Sequence, residues 1–203
     1  MYTPTHFKEE RLDILHAAIA RIGLATLVIH GEAGLEASQI PMVVDPTAAP
    51  LGGLSGHMAR ANPLWKRAKG DALAIFLGPH AYVSPSWYPS KAETGKVVPT
   101  WNYLAVHATG TIEFFDDPVG LRAQVEQLTR TNEGGRASPW AVGDAPDAYI
   151  AQLLRAIVGF RITITKLEGQ WKMSQNKSAT ELDGVLQGLA DEGADGVLAV
   201  MKA

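Results

Sequence analysis

The chain has 203 residues, of which 46% are hydrophobic and 19% charged, with a formal net charge of −3 and no cysteine. These values are typical of a globular protein that is long enough to bury a sizeable core. The missing cysteines exclude disulfides, cysteine-ligated zinc and thiolate-bound iron–sulfur clusters.

The sequence also bears on location and on nucleic acids. Its first residues lack the basic start and apolar run of a signal peptide, and no stretch approaches the roughly 20 apolar residues of a membrane span. We therefore expect a cytoplasmic protein without a membrane partner. Basic residues are scattered, and neither a basic face nor a helix-turn-helix pattern is evident, so direct DNA binding is disfavoured.

The first part of the chain combines helices with short strands. Apolar residues at helical spacing predict a helix over residues 9–22, which Gly23 ends. A second, short helix is predicted from Asn62 to Lys69. A turn at residues 31–34 joins the first two of four predicted strands. These strands are residues 24–30, 35–44, 51–57 and 72–77.

The second part begins with residues 78–99, a mixture of strand, turn and loop that is dense in proline, glycine and aromatic residues. Alternating apolar residues then predict a long strand over residues 100–115. The remaining predictions are helices from Pro118 to about Asn132 and from Asp147 to Ile157, a strand around residues 160–165, a turn at Glu168-Gly169 and a helical tail over residues 179–202. This order predicts a mainly β fold with α decoration, and periodicity alone leaves open a barrel or an open α+β sheet.

A first candidate site lies where the third predicted strand ends. Ser55, His57 and Arg60 precede the short helix, and a serine, exposed backbone N–H groups and an arginine fork together suit a phosphate. The alternative is a helix start with a solvated arginine and a histidine at the edge of the core.

A second candidate site is aromatic. Thr100, Trp101 and Asn102 follow an aromatic stretch at residues 82–88, and flat rings beside hydroxyl and amide groups suit a planar heteroaromatic ligand. The alternative is ordinary packing in the core or at an interface between chains. A buried amide at Asn102 would need hydrogen-bond partners.

A third candidate site follows the last predicted strand. Lys172, Ser174, Gln175 and Asn176 could close over a phosphate or a ribityl chain. The alternative is a polar connection in which a serine or asparagine caps the following helix. Both interpretations can hold together.

No pattern predicts a metal site or a catalytic residue. The six histidines are scattered, and no zinc, nucleophile-elbow or Walker motif occurs. The aspartates at 116–117 and 144–147 are predicted to cap helices.

Five segments in order resemble the PaiB-like family of FMN-binding negative transcriptional regulators. They are Met1-Tyr2 with Pro4, His6 and Phe7; residues 56–63; Gly78-Pro79 with residues 82–88; residues 98–103; and residues 174–177. The resemblance implies one FMN-binding split β-barrel domain over residues 1–203, with an N-terminal helix and a C-terminal helical tail. It also implies a homodimer that holds FMN in clefts at its interface.

The resemblance also assigns roles to the candidate residues. It implies that FMN is contacted by Ser55, His57, Arg60, Thr100, Trp101, Asn102, Lys172, Ser174, Gln175 and Asn176. The first three would lie near the flavin phosphate or ring, the next three would line the cleft, and the last four would approach from the late strand. Lys177 stands where relatives carry arginine, which replaces a planar fork of donors with a point charge.

Three functions remain open at this point. The first is a flavin-binding regulator, with FMN tuning a protein partner or gene expression. The second is an FMN-dependent oxidoreductase on a small molecule, similar to pyridoxamine-phosphate oxidase or flavin reductase. The third is a haem-binding split barrel, with His57 or His107 as iron ligand.

Overall fold

A computed structural model describes residues 1–31, 34–68 and 70–202. Within these residues, seven strands are assigned: β1 (Lys8–Glu9), β2 (Leu24–Gly31), β3 (Gly34–Asp45), β4 (Gly53–Ala59), β5 (Asp71–Val83), β6 (Thr100–Phe115) and β7 (Ile157–Lys172). The same residues contain seven α-helices: α1 (Leu12–Ile22), α2 (Leu64–Arg67), α3 (Ser90–Thr94), α4 (Pro118–Glu133), α5 (Asp147–Leu154), α6 (Ala179–Asp191) and α7 (Asp195–Met201).

The strands form one sheet in the order β1-β7-β4-β3-β2-β5-β6, and β6 also pairs with β7. This extra pairing closes the sheet into a barrel, which decides between the two architectures that periodicity leaves open. The prediction of a mainly β fold with α decoration is confirmed. The antiparallel hairpin of β2 and β3 aligns Thr26 with Gln39, and the pairing continues from β3 to β4.

Contacts divide the chain into two compact units. The larger unit comprises Leu12–Phe76 and His107–Leu167; the smaller comprises Met1–Arg11, Leu77–Val106 and the chain from Glu168 onward. The prediction of a single domain stays a prediction. No helix among the described residues is long and apolar enough to span a membrane.

The core of the larger unit follows from alternation along its strands. In β2, Ala25, Leu27 and Ile29 are buried while Leu24 and His30 are exposed, because successive side chains point to opposite faces. A second apolar cluster joins α4 to α5 through Leu121, Val142, Ile150 and Leu154. Helix α4 begins where the sequence predicts, because the Asp117 side chain caps it by accepting a hydrogen bond from the Gly120 N–H at 2.7 Å.

The smaller unit is held together by α6 and by a two-strand pairing. Helix α6 packs on Trp87, and a Cβ at Gly188 would overlap the Trp87 ring, so glycine permits the close approach. Strand β1 pairs with the end of β7, where Glu9 aligns with Gly169. The α6 side chains Val185 and Leu189 are fully buried.

The β1–β7 pairing explains two wrong predictions. The turn predicted at Glu168-Gly169 is wrong, because both residues lie within β7, which continues to Lys172. Helix α1 begins at Leu12 rather than residue 9, because Glu9 belongs to β1. In both places, pairing with a distant segment overrides the local pattern of the sequence.

Other boundaries differ by a few residues. Helix α5 ends at Leu154, and Ile157, its predicted last residue, begins β7 instead. Strand β5 extends to Val83, beyond the predicted residue 77. Glu32 and Ala33 of the predicted hairpin turn lie outside the described residues, as does Lys69, the predicted end of the short helix.

We expect the closure between β6 and β7 to depend on Gly110. A Cβ at this position would overlap the carbonyl oxygen of Thr163 in β7, and a backbone atom cannot turn aside. The substitution Gly110→Ala should therefore lower the free energy of unfolding by about 1–3 kcal/mol, as overpacking usually does. Urea denaturation measures the change.

Gly135→Ala is the matched control, because a Cβ at Gly135 meets no atom within 4 Å. It should leave the free energy of unfolding within about 0.5 kcal/mol of the wild-type value. Equal stability of the two variants would contradict the tight approach of β6 to β7.

Candidate functional site

In the smaller unit, the start of β6 meets the end of β7 through Lys172. The Lys172 Nζ donates hydrogen bonds to the Thr100 hydroxyl and to the Trp101 carbonyl oxygen, each at 2.5 Å. These two bonds join one residue of the third candidate site to two residues of the second candidate site. The structure therefore brings together residues that lie about 70 positions apart in the sequence.

Another hydrogen bond joins the second candidate site to the third. The Ser174 hydroxyl donates to Oδ1 of Asn102 at 3.0 Å, and both side chains are buried. The Asn102 Nδ2 donates to the Met201 sulfur at 3.6 Å, a weak acceptor. Ser174 adopts a positive φ of 63°, which is costly for a residue other than glycine and aims its hydroxyl at the amide.

The cationic groups of this cluster lie close to one another. Burial lowers the pKa of Lys172, and the nearby charge of Lys177 lowers it further. Lys177 places its Nζ 4.3 Å from the centre of the Tyr88 ring and 3.8 Å from a Glu181 carboxylate oxygen. Burial, aided by Glu181, raises the pKa of the Tyr88 hydroxyl, which has no hydrogen-bond partner in the described part of the chain.

Gln175 and Asn176 are exposed, in the turn after β7. Gln175 bonds locally: its Oε1 accepts from the Met173 N–H at 2.7 Å, and its Nε2 donates to the Trp171 carbonyl at 2.5 Å. The capping role considered for this segment falls instead to Ser178, whose hydroxyl accepts from the Glu181 N–H at 3.3 Å. Neither Gln175 nor Asn176 therefore caps α6.

Trp101 presents a flat apolar surface to solvent. Its side chain is 52% exposed, and its ring lies 5.9 Å from that of Tyr82 and 6.2 Å from that of His80, measured between centroids. Exposed rings of this size offer a stacking surface for a planar ligand.

In the larger unit, Ser55 and His57 lie on the same face of β4. Ser55 lines a cavity of about 250 Å³ with Gln124 and Arg161. His57 lines another, of about 450 Å³, with Ser38 and other residues of β3. Burial lowers the pKa of His57, and its Nδ1 has no hydrogen-bond partner among the described residues.

Arg60 is held by the chain itself. Its Nε donates to the Arg155 carbonyl at 2.9 Å and its Nη2 to the Ile157 carbonyl at 3.0 Å, while Nη1 bonds to Asp116 at 3.1 Å. Three of its five N–H donors are thereby used, and two remain. Arg60 lines a third cavity, so the structure does not gather Ser55, His57 and Arg60 around one space.

Several polar residues beside the predicted ones were missed from the sequence. Asn62 donates from Nδ2 to the Ser38 hydroxyl at 3.1 Å, and both line the His57 cavity with Gln39. The available signal was the run of polar residues in the predicted strand over residues 35–44. The described residues hold no group of three or more potential metal ligands.

Comparison with known proteins identifies the family. The family model described as "Putative FMN-binding domain" matches residues 1–166. An uncharacterized protein of Emericella nidulans is 34% identical, over 96% of this chain and 92% of the relative. The Bacillus subtilis protein named "Protease synthase and sporulation protein PAI 2" is 29% identical, over 95% of this chain and 90% of the relative.

Solved structures agree on the fold. The FAD and heme binding protein from Mycobacterium smegmatis matches with a TM-score of 0.61 at 16% identity, over 87% of this chain and 78% of that chain. The flavocytochrome Anf3 from Azotobacter vinelandii matches with a TM-score of 0.57 at 11% identity, over 81% of this chain and 69% of that chain. The chain therefore belongs to the family of FMN-binding domains, as the resemblance predicts, and is a flavin-binding split β-barrel with FMN as its cofactor.

Proposed function

We propose that this protein is a homodimeric flavin-binding regulator, which holds FMN in clefts at the dimer interface and represses gene expression through a protein partner. The family match over residues 1–166 carries the proposal. The regulatory part is supported by the name of the 29% identical B. subtilis relative, "Protease synthase and sporulation protein PAI 2", which refers to a process of the whole cell. A net charge of −3 favours an indirect route over operator binding.

The residues of the smaller unit suit the flavin ring and ribityl chain. The exposed Trp101 ring can stack on a planar heterocycle. The exposed side chains of Gln175 and Asn176 can bond to ribityl hydroxyls, and Asn102 forms a buried, hydrogen-bonded pair with Ser174. We assign Thr100 to the same set, because Lys172 orients its hydroxyl.

The phosphate needs cations and N–H donors, and each of the two units supplies its own candidates. Lys172 is a partly buried ammonium whose pKa is lowered by burial, so a nearby phosphate would restore the stability of its charged form. Arg60 retains two N–H donors beyond its internal bonds. His57 and Ser55, on one face of β4, are proposed as separate contacts to the phosphate or the ring, because they and Arg60 line three different cavities.

When bound, FMN supplies electron- and hydride-transfer chemistry. The proposed work of the chain is to bind and orient the group. Within the described residues, the site offers hydroxyls, amides and cations. Lys172 is the only lysine or arginine among them whose pKa is lowered. A binding site of this composition suits sensing or holding a flavin as well as supporting its redox chemistry.

The substitution Trp101→Ala should weaken FMN binding about tenfold, since stacking of a base on an aromatic side chain is worth roughly 1–3 kcal/mol. Quenching of FMN fluorescence measures the dissociation constant, and wild type should saturate near one FMN per chain. Tyr149→Ala is the matched control, because Tyr149 is an aromatic residue that is 55% exposed and is not among the proposed FMN contacts. Equal affinities for both variants would remove Trp101 from the site.

The titration of His57 tests its place beside the phosphate. Burial holds its pKa below 6.5 in the free chain, so the unfolded chain takes up this proton more readily and the free energy of unfolding should fall as pH drops below 6.5. A bound phosphate dianion favours the imidazolium, so FMN should raise the pKa of His57. NMR of the histidine ring protons between pH 5 and 8 measures the pKa of His57 with and without FMN. An unchanged pKa with FMN bound would refute the phosphate contact.

The regulatory role and the enzymatic alternative predict different results in the cell and with the purified protein. Deletion of the gene should raise specific transcripts, and the wild-type gene should restore repression while the Trp101→Ala form does so poorly. The purified holoprotein should not retard promoter DNA at physiological salt. Unaltered transcripts together with sustained NAD(P)H oxidation by the holoprotein would instead establish the FMN-dependent oxidoreductase.

A further inference from the structure

A cavity of the larger unit between α4 and α5 lies outside the flavin-site proposal except for one residue, Arg60. Its volume is about 840 Å³, within the range of roughly 300–1,000 Å³ typical of small-molecule sites. Residues of α4 and α5 form its walls. The small side chains of Ala123 and Ala151 line the space, as do the buried Leu121 and Leu154.

The cavity opens to solvent beside an exposed apolar side chain. Val119, in the first turn of α4, lines the cavity and is 81% exposed. An apolar ligand that enters between α4 and α5 would cover Val119 and gain contact with Leu121 and Leu154. The hydrophobic effect thus favours occupation by an apolar body.

Three arginines and two carboxylates line the same cavity, and most of these charges are already paired. Arg60 bonds to Asp116 at 3.1 Å. Arg122 bonds to Glu126 at 3.0 Å and to Asp147 at 3.2 Å, and these carboxylates raise its pKa.

Arg155 differs from the other two arginines. Its carbonyl accepts from Arg60, but its guanidinium makes no hydrogen bond or ion pair within the part of the chain that the structure describes. It is also exposed, directly after the end of α5, so no hydrogen bond of its guanidinium to the described residues has to be broken before it meets a ligand. A planar fork of this kind matches a carboxylate in two parallel hydrogen bonds.

We propose that this cavity is a second ligand site, which binds an apolar carboxylic acid with its hydrocarbon body between α4 and α5 and its carboxylate on Arg155. The apolar walls select the body, and the unpaired arginine selects the anionic head. The charges of Arg60 and Arg122 are offset by Asp116, Glu126 and Asp147, so Arg155 is, among the described residues of this lining, the cation that is left for the ligand. A neutral ligand would gain the hydrophobic contacts but not the charge-assisted bonds.

Isothermal titration calorimetry of decanoate into the FMN-saturated protein tests the proposal, with decanol as the neutral ligand of equal chain length. Wild type should bind one decanoate per chain, and decanol about tenfold more weakly. Arg155→Gln should weaken decanoate binding about tenfold and leave decanol binding unchanged. Arg130→Gln is the matched control, because Arg130 is exposed on α4 and does not line the cavity.

Ala151→Phe tests the apolar body of the site, because a phenyl ring at this position occupies the cavity and should abolish binding of both ligands. Circular dichroism and thermal unfolding establish that each variant is folded. If Ala151→Phe does not fold, the comparison of Arg155→Gln with Arg130→Gln still decides the matter.

Three results would overturn the proposal. The first is the absence of saturable decanoate binding to wild type. If Ala151→Phe also changes the oligomeric state in that case, the cavity is covered by a second copy of the chain. The second is equal decanoate affinity in Arg155→Gln and Arg130→Gln. The third is decanoate binding to the FMN-free protein that is lost when FMN is saturating, because the cavity would then belong to the flavin site.

Discussion

The pairing of β6 with β7 is the constraint on which the barrel and the candidate site both depend. These are the two 16-residue strands, and their contacts run in opposite directions along the chain: Gly110 approaches Thr163, and Thr100 meets Lys172. Closing the sheet removes two edges that would otherwise offer unpaired backbone groups to other chains. The same register brings polar side chains from distant parts of the sequence within hydrogen-bond distance in the smaller unit.

Much of the fold follows from local signals in the sequence. Strand β6 has the predicted bounds, because its alternation is regular and Pro99 stands before it. Helix α4 begins as predicted, because an aspartate cap followed by proline is a strong start signal. The turn predicted at Glu168-Gly169 is wrong. Glycine permits a turn but does not require one, and pairing with Glu9, about 160 residues earlier, keeps the strand extended.

The candidate site is harder to predict than the fold, as Arg60 illustrates. Its residue type suits a phosphate, and the sequence contains nothing to suggest that the carbonyls of Arg155 and Ile157 compete for it. Those acceptors lie at the junction of α5 and β7, about 95 residues later, where a helix ends and leaves carbonyls unpaired. The meeting of Lys172 with Thr100 is equally invisible in the sequence, since it depends on the register of β6 against β7.

The proposed binding of FMN at the interface of two copies can be measured by native mass spectrometry of the protein mixed with excess FMN. We expect a species of two chains and two FMN molecules, and a loss of flavin when the two chains are separated by gentle activation. A single chain that retains one FMN would contradict the interface site. A dimer that binds no FMN at any concentration would contradict the flavin site itself.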